Sequence, residues 1–277
     1  MNKKKIVLTG STGVLGRKFI QINKNNKFLK FKVDITNRSE VFSWIKKYNF
    51  DIFIHFAAAV SQKKLTREKN AYAVNFYGTK NITDAIIKYK KKCWFFFASS
   101  SHVYKFSNNK LKENSKILPH NLYGKSKFEA EKYIIKKINK SNSTSTLCIG
   151  RIFSFTDRNQ NTDYFIPSVI KKIKSKKKKL KFINLNKRRD FIHTSEIIDA
   201  INNLYKKNAK GIYNIASGKP RFLFNIIKRI HKLLKSKKDI YIHNSKRGGD
   251  LVANIKKLEK LGWRSKITIN QIINDNL

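Results

Sequence analysis

The alternation of short apolar runs with amphipathic segments predicts an α/β fold built around a doubly wound parallel sheet. Strand-like and helix-like segments alternate through the first 150 of the 277 residues, and a glycine-rich turn joins the first pair. The strand-like runs are largely apolar, as expected where helices cover both faces of a parallel sheet. Beyond about residue 155 the pattern loosens. We therefore expect a sheet domain over residues 1–154 and a small C-terminal α/β lobe over 155–277, with some chain crossing between them.

The individual elements follow from the spacing of their apolar residues. Residues 39–48 carry apolar side chains at helical spacing, whereas residues 51–59 form an apolar run typical of a buried strand. The same reasoning predicts strands at 6–8, 28–35, 51–59, 93–99 and 146–153. Helices are predicted at 17–23, 39–48, 71–89 and 123–137.

The second part of the chain has shorter elements. We predict helices at 165–174, 196–205 and 223–234, and strands at 180–185 and 211–216, all within the lobe. Eight of the eleven residues from 171 to 181 are lysine. We interpret this run as a solvated helix end and hairpin, and the alternative is a patch for phosphates or a membrane surface.

The charge of the chain needs an explanation before it can indicate a function. Sixty-two Lys and Arg stand against 17 Asp and Glu, for a formal net charge of +45. Only 11 of the basic residues are arginine, whereas proteins that recognise phosphates or base edges favour the bidentate arginine fork. We therefore attribute most of the excess to compositional drift and do not expect nucleic acid as a partner. A nucleic-acid-binding protein remains the alternative, and it predicts binding that weakens steeply with salt.

Targeting signals are not evident in the sequence. The basic N-terminus is followed by an apolar run of only three residues, 6–8, which is too short for a signal peptide. Runs such as 93–98 are far below the roughly 20 residues that span a membrane. We expect a cytoplasmic chain with no membrane partner.

The turn after the first strand has the pattern of a dinucleotide-binding loop. Residues 9–16 read T-G-S-T-G-V-L-G, with three glycines spaced three apart between a strand and a helix. Such glycines allow a tight turn, close approach of the backbone to a pyrophosphate, and close helix–strand packing. The helix N-terminus adds N–H groups and a positive dipole end. The context that this motif requires is present.

With its downstream motifs, this turn resembles that of the extended short-chain dehydrogenase/reductases, the NAD-dependent epimerase/dehydratase group. The motifs follow in the family's order from residue 3 to about 270 and include a Tyr-x-x-x-Lys pair. The resemblance implies a Rossmann-like fold, NAD or NADP as cofactor, a nucleotide-diphosphate sugar as substrate, and a homodimer. The cofactor-binding residues that it implies are Gly10, Thr12, Gly13, Val14, Leu15, Gly16, Asp34, Ile35, Phe56, Ala57, Ala58, Asn75, Tyr123 and Lys127.

The catalytic residues that the resemblance implies are Ser100, Tyr123 and Lys127. Tyr123 and Lys127 are four residues apart, so both project from one face of a helix. We expect the ammonium to favour the phenolate, so that Tyr123 exchanges a proton with the substrate near neutral pH. By resemblance, Ser100 would hold the sugar oxygen whose carbon exchanges the hydride, and Lys127 would also hold the nicotinamide ribose.

The segment before Asp34 is shorter than in the family. Only 17 residues separate Gly16 from Asp34, so we predict that one strand or its crossover is missing there or merged with residues 28–33. The acidic residue that usually selects an unphosphorylated ribose is not found in this stretch, and Lys27, Lys30 and Lys32 lie in or next to it. Because a positive charge tolerates a 2′-phosphate, NADP is slightly favoured over NAD.

Two further departures bear on the reaction. Ser101 and His102 stand where sugar-dehydrating relatives carry an Asp-Glu pair, which argues against 4,6-dehydratase chemistry. His102 is either an additional acid/base, since imidazole titrates near neutrality, or a packing and hydrogen-bonding residue. Ser154 replaces an Asn that contacts the substrate in relatives. We expect all three residues to line the substrate pocket.

Two arginines mark the expected diphosphate site. Arg189 lies in an R-R-D-F-I-H stretch and Arg247 in R-G-G-D, and both stretches resemble family motifs that clamp the diphosphate of a nucleotide sugar. In a chain with so few arginines, their placement at these two positions is informative. The alternative is a pair of structural salt bridges, with Arg247–Asp250 as the obvious local one.

These observations predict NAD(P)-dependent hydride exchange at C4 of a nucleotide-diphosphate sugar. An epimerase would return the hydride to the other face of the sugar, whereas a 4-ketoreductase would consume one NAD(P)H per turnover. The short chain leans toward a reductase. A non-catalytic NAD(P) sensor is a further alternative, against which the Ser100, Tyr123 and Lys127 set argues. We predict no metal site.

Overall fold

The computed structural model describes residues 3–60, 72–89, 91–243 and 249–277. Its centre is a six-stranded sheet in which every pairing is parallel. The strands are β1 (Lys5–Thr9), β2 (Lys27–Lys30), β3 (Ile52–His55), β4 (Trp94–Ser100), β5 (Thr146–Ile152) and, much later in the chain, β9 (Gly211–Ile215). Their order across the sheet is β2-β1-β3-β4-β5-β9. The predicted doubly wound α/β fold is confirmed.

Helices cover both faces of this sheet, with an apolar core under each. The helices are α1 (Val14–Ile22), α2 (Arg38–Lys47), α3 (Thr79–Lys88), α4 (Leu122–Lys140), α5 (Phe165–Lys174), α6 (Thr194–Lys206), α7 (Leu223–Leu233), α8 (Lys256–Glu259) and α9 (Ile269–Asn274). Phe96 belongs to the core shared with α1 and α6. Its neighbour Phe95 belongs to the core shared with α2, α3 and α4. Successive strand residues point to opposite faces, so a continuous apolar strand serves both cores.

The short segment between α1 and Asp34 contains one strand, β2, and the further strand that we predicted to be missing is not found in it. β2 ends at Lys30, and the chain reaches α2 through a loop instead of the predicted continuation to residue 35. This loop is tied to α3, because the Asn81 amide donates to the Ile35 carbonyl over 3.0 Å. Ile35 is buried against Gly78, where a Cβ would lie 2.6 Å from the Ile35 side chain. The shortened connection is therefore held by packing and by a side-chain hydrogen bond.

The second half of the chain contributes to the main sheet as well as to a lobe. We expected the strand near 211–216 in the lobe, but it is β9, which pairs in parallel with β5. The crossover through α6, which packs on α1, returns the chain to the sheet edge in the right direction for this pairing. The remaining strands form two small sheets. They are β6 (Ser154–Thr156), β8 (Arg188–His193) and β10 (Pro220–Phe222) in one, and β7 (Lys179–Ile183) and β11 (Asp239–His243) in the other.

A third apolar core lies in the lobe, between α5, α7 and these small sheets. It includes Ile166 and Ile227, which are both nearly inaccessible to solvent. The lysine-rich run lies at the end of α5 and the start of β7, which confirms the predicted helix end. The predicted hairpin is wrong, because β7 pairs in parallel with the distant β11. No helix in the described ranges is both long and apolar enough to span a bilayer.

Candidate functional site

The glycine turn has the geometry of a pyrophosphate cradle. Gly10 has a φ of +69°, in the left-handed region that glycine adopts at little cost. A Cβ at Gly10 would lie 2.7 Å from the backbone nitrogen of Ala57, and one at Gly16 would overlap the Gly10 carbonyl oxygen. Gly13 precedes α1 and supplies no side-chain cap. The first N–H groups of α1 are therefore left for a phosphate, and the residues present fit a dinucleotide.

A buried histidine fixes the loop after β3 beside this turn. His55 Nδ1 lies 2.6 Å from Thr9 Oγ1, and its Nε2 lies 2.9 Å from Thr79 Oγ1. The Ala57 backbone N–H donates to the same Thr9 oxygen over 3.2 Å. Burial, and then the charge of Lys127, hold the pKa of His55 well below its usual range. A neutral histidine therefore joins β1, α3 and the loop that contains Phe56, Ala57 and Ala58.

Asn75 ties the same loop to the helix that carries the catalytic pair. It lies in a π-helical turn, Ala73–Gly78, and is fully buried. Its Oδ1 accepts from the Ala59 N–H over 2.8 Å, while Nδ2 donates to the Ala59 carbonyl over 3.1 Å and to Ser126 Oγ over 3.0 Å. Its polar atoms are thus engaged with protein, and we interpret Asn75 as a residue that organises the cofactor loop.

Ser100 and Tyr123 meet at the carboxyl edge of the sheet. Ser100 is the last residue of β4, and Tyr123 lies in the first turn of α4. The Ser100 hydroxyl lies close enough to the Tyr123 phenol to act on its pKa. Lys127 follows one turn later on the same helix face, where its Nζ lies 4.5 Å from the centre of the Phe97 ring. The structure therefore brings the three predicted catalytic residues to one edge of the sheet.

Burial determines the protonation states of Tyr123 and Lys127. It raises the pKa of Tyr123 to about 12, although the nearby Ser100 hydroxyl acts in the opposite direction. It lowers the pKa of Lys127, which is 1% exposed, to about 7, with Glu131 opposing the change. We expected the ammonium to favour the phenolate, but the cost of burying a charged phenolate outweighs this attraction. At neutral pH Tyr123 is protonated, so it can donate a proton.

A buried ion pair lies directly behind Lys127. Glu131 and Arg151 are 1% and 3% exposed, and Arg151 Nη2 lies 2.7 Å from Glu131 Oε2. Ser99 Oγ donates to the same carboxylate, and the Arg151 guanidinium lies 4.7 Å from the centre of the Tyr104 ring. Sequence reasoning missed this pair. The available signals were an arginine inside an apolar strand and a glutamate one helical turn beyond Lys127.

The Ser101–His102 step follows β4 as a 3₁₀ turn beside Tyr123. The His102 N–H donates to Ser100 Oγ over 3.2 Å. The His102 ring packs edge-on against the Tyr123 ring, with centroids 5.7 Å apart, and lies 5.0 Å from the ring of His120. Burial, followed by the charges of His120 and Arg189, lowers the pKa of His102 to about 4. His102 is therefore neutral at physiological pH, and Ser101 beneath it is buried.

The predicted diphosphate arginines are only partly described. Arg189 donates through Nη1 to the carbonyls of Arg188, over 2.8 Å, and Gly249, over 2.7 Å. Burial lowers the pKa of its guanidinium to about 10, with Asp250 opposing the change. Asp250 instead forms its salt bridge with Arg188, at 2.8 Å. Arg247 lies outside the described residues, so its predicted role and its predicted pairing with Asp250 stay predictions.

Asp190, next to Arg189, holds the lobe to the sheet. It is fully buried and accepts hydrogen bonds from Ser217 N, Ser217 Oγ and Gly218 N, at 2.9, 2.6 and 2.9 Å. Burial raises its pKa to about 6 in spite of these donors. The aspartate of the R-D-F stretch therefore organises the turn between β9 and β10, and this turn positions Arg189.

Other pocket residues come from segments far apart in the sequence. Ser154 lies in β6 and pairs with Phe191 of β8. Tyr164, at the N-terminus of α5, lies close enough to Tyr123 to disfavour its phenolate. The His120 ring packs on Phe106 with centroids 4.2 Å apart. Neither Tyr164 nor His120 was singled out from the sequence, since no local pattern marks which loop residues approach the catalytic tyrosine.

Known proteins share this architecture. A match to the NAD dependent epimerase/dehydratase family spans residues 6–216. A GDP-6-deoxy-D-talose 4-dehydrogenase of Aggregatibacter actinomycetemcomitans is 27% identical over 214 residues, which cover 73% of this chain and 70% of that protein. A UDP-glucose 4-epimerase of Mycoplasma genitalium is 26% identical over 204 residues, which cover 61% of this chain and 60% of that protein.

The fold is shared with solved structures over nearly the whole chain. RMD from Pseudomonas aeruginosa, complexed with NADPH, has a TM-score of 0.89 at 18% sequence identity. The match covers 99% of this chain and 97% of that one. The family match spans well over half of the sequence and contains the glycine turn, Ser100, Tyr123 and Lys127. The chain belongs to the NAD-dependent epimerase/dehydratase family.

Proposed function

We propose that this chain catalyses NAD(P)-dependent hydride exchange at C4 of a nucleotide-diphosphate sugar. The observation that carries the proposal is the proximity of Ser100 and Tyr123 at the carboxyl edge of the sheet, on the side where the glycine turn lies. Ligands of open α/β sheets bind outside the carboxyl ends of the strands. A cofactor bound at the turn and a sugar held by this pair would therefore meet at one place.

The cofactor end fits a dinucleotide. The nicotinamide, when bound, supplies or accepts the hydride, and the protein orients the two partners. We favour NADP slightly over NAD, because the exposed Lys30 and Lys32 lie at and just after the end of β2, where relatives carry an acidic residue. The next carboxylate, Asp34, is engaged locally, since its Oδ1 accepts from Thr36 N over 2.9 Å and from Thr36 Oγ1 over 2.8 Å.

The proton steps are assigned to residues of the chain. In the reducing direction Tyr123 donates its phenolic proton to the C4 oxygen of the sugar, which becomes a hydroxyl. In the oxidising direction it takes that proton back. Ser100 hydrogen-bonds the same oxygen, and Lys127, one helical turn away, stabilises the tyrosinate that the first step leaves. A ketoreductase uses one direction, whereas an epimerase uses both in succession.

The diphosphate is assigned to Arg189, and to Arg247 as a second ligand. In the described ranges Arg189 donates only to main-chain carbonyls, so its positive charge is left for a ligand. Arg221 lies directly across the β8–β10 pairing from Arg189. Like charges opposite each other in a sheet are unfavourable, and an anion between them would remove the repulsion. Ser101, His102 and Ser154 would face the sugar.

We further propose a cytoplasmic homodimer that associates through the helices next to Asn75 and Tyr123. Tyr77, in the π-helical turn, is 55% exposed and forms an aromatic contact with Phe76. An exposed aromatic cluster on these helices is suited to a protein interface. Light scattering of Tyr77→Glu beside the wild type tests this assembly: a monomeric wild type would contradict it.

The reaction is tested by incubating the purified protein with UDP-, GDP- and dTDP-linked hexoses and their 4-keto forms. NAD(P)H oxidation that matches product formation identifies a ketoreductase, and turnover without net oxidation identifies an epimerase. Loss of water from the sugar would contradict our exclusion of a dehydratase, which rests on Ser101 and His102. The nucleic-acid alternative would replace the proposal if the protein showed no turnover but bound RNA or DNA with an affinity that falls steeply with salt. This binding should then be unchanged in Tyr123→Phe.

A further inference from the structure

Asn121 has two hydrogen-bonding roles at the start of the catalytic helix. It is the N-cap of α4, where its Oδ1 accepts from the Gly124 N–H over 2.8 Å. Because a backbone N–H can only donate, this bond determines which end of the amide is the oxygen. The other end, Nδ2, then lies 2.9 Å from His102 Nδ1. The cap that starts the helix thus also contacts the histidine beside Tyr123.

This contact determines the tautomer of His102. An amide nitrogen donates and does not accept, so His102 Nδ1 must present a lone pair to it. The proton of the neutral ring is therefore on Nε2. In a protonated ring, the Nδ1–H would face the amide N–H of Asn121, and two donors that face each other repel. The neighbours of the ring, which are His120, Tyr123 and Arg189, offer no negative charge at neutral pH and so also favour the neutral form.

The Nε2–H of His102 is free to meet a ligand. In the described part of the molecule no group is hydrogen-bonded to that nitrogen, whereas Nδ1 and the backbone N–H are both engaged. The ring stands edge-on to Tyr123, and its backbone is bonded to Ser100. A donor at this position would therefore reach an oxygen next to the one that Ser100 and Tyr123 hold.

We propose that His102 is a specificity-determining hydrogen-bond donor, through Nε2–H, to a sugar oxygen beside the reacting one, and that Asn121 is the positioning residue for it. The ligand part rests on the proposed function, whereas the tautomer is a property of the protein alone. A site built to donate to a substrate oxygen discriminates against analogues that lack it, because its donor is then left unpaired. The enzyme should accordingly prefer a sugar oxygenated at that position over its deoxy analogue.

The donor role is separated from acid/base catalysis by two substitutions. The amide nitrogen of His102→Gln can stand near Nε2 and donate, but it cannot exchange a proton at neutral pH. We expect kcat/KM to stay within about 3-fold of the wild type for His102→Gln and to fall about 10-fold for His102→Ala, the size of one hydrogen bond. Equal losses in both variants, together with a new dependence of kcat on pH, would overturn the donor role.

The tautomer is tested without substrate, by ¹⁵N NMR of protein labelled at histidine. The His102 signals are assigned from their loss in His102→Gln. We expect a protonated Nε2 and an unprotonated Nδ1 in the wild type. Asn121→Asp keeps a capping oxygen but offers an acceptor to Nδ1, so the proton should move to Nδ1. We expect kcat/KM of this variant to fall about 10-fold, mainly through KM.

Matched capping variants control for damage to the helix. Asn121→Ser and Asn37→Ser each leave a hydroxyl cap, because Asn37 caps α2 by accepting from Glu40 N over 3.3 Å. Only Asn121→Ser should change the His102 signals. A protonated Nδ1 in the wild type, or unchanged His102 signals in Asn121→Asp, would overturn the inference. Failure of the proposed function would appear separately, as absence of turnover with the expected tautomer still present.

Discussion

The two ends of the candidate site are built in different ways. The catalytic end is formed by α4 and the ends of the neighbouring strands β4 and β5, and its Lys127, Glu131 and Arg151 are almost completely buried. The diphosphate end is cationic and partly exposed, and it is assembled from β8, β10 and the chain around residue 250. We infer that the first end sets the proton chemistry by burial, whereas the second attracts the substrate by charge. The following predictions test this division, from the largest expected effect to the smallest.

Of the substitutions considered, Tyr123→Phe should lower kcat the most relative to its effect on substrate affinity. It removes the only proton that we assign to the C4 oxygen, so kcat should fall about 10³-fold, within the usual range for general acid/base groups. Affinity for the nucleotide sugar should fall by no more than about 10-fold, because the lost hydroxyl contributes at most one hydrogen bond to binding. Single-turnover kinetics and calorimetric titration measure the two quantities.

The control is Tyr133→Phe on the same helix, which removes a hydroxyl bonded to Asp84 at 2.5 Å. It should leave kcat unchanged. Comparable turnover by Tyr123→Phe and Tyr133→Phe would remove Tyr123 from the reaction.

Glu131→Gln should test whether the catalytic end depends on its buried ion pair. Leaving Arg151 as an uncompensated buried charge should lower the free energy of unfolding by about 3 kcal/mol. Urea denaturation measures this loss. The exposed Glu129–Lys132 pair on the same helix, 2.8 Å apart, is the control, and Glu129→Gln should cost less than about 0.5 kcal/mol. Equal costs for the two variants would show that the burial of the pair is energetically unimportant.

Arg189→Ala should affect binding and leave chemistry alone. Loss of charge-assisted contacts should weaken binding of a nucleoside diphosphate by about 10- to 100-fold. The variant should keep a kcat near that of the wild type at saturating substrate, and its affinity should depend less on salt. Titration calorimetry at two salt concentrations measures both effects. Arg229→Ala, which removes an arginine bonded to Asn270 in the lobe, should change neither. A fall in kcat without a change in affinity would contradict the division.

The pH dependence of stability should reveal the burial of Lys127. Its pKa falls from an ordinary 10.5 to about 7 in the folded chain. Between these values the unfolded state binds more protons than the folded state, so stability should rise with pH from about 7 to about 10.5. Lys127→Met should lose this rise, which we expect to be about 3 kcal/mol between pH 7 and pH 9.5. Urea unfolding at pH 7 and pH 9.5 measures it. The exposed Lys125 is the control, and Lys125→Met should keep the slope of the wild type.

The catalytic end was predictable because its information is local. The glycine turn, the end of β4 and the Tyr123–Lys127 spacing are each contained in a short stretch of sequence. The missing strand before Asp34 also followed from simple counting. The protonation of Tyr123 did not follow, because it depends on burial by residues from other segments. The sequence, in which Lys127 follows Tyr123 by four residues, suggested instead that the pKa of Tyr123 is lowered.

The diphosphate end was less predictable because tertiary structure assembles it. Arg189 was identified from its motif, but its neighbours His120 and Phe106 come from a loop with no characteristic pattern. Asp250 pairs with Arg188, a contact that the sequence did not predict, and its predicted pairing with Arg247 lies outside the described residues. The strand near 211–216 was predicted, but its place in the main sheet was not, since neither length nor composition distinguishes an added edge strand from a lobe strand. Long-range pairing decides such cases.

The missing third strand also bears on aggregation, because β2 lies at an edge of the sheet that the described residues form. An exposed edge can pair with another chain, and natural proteins limit this risk with short edge strands and lysines. β2 has only four residues and begins and ends with an exposed lysine. At the opposite edge, Lys257 Nζ donates a hydrogen bond to the Ile212 carbonyl of β9 over 2.7 Å. The lysines at the two edges of the sheet, which contribute to the high net charge, therefore hinder the addition of a strand from another molecule.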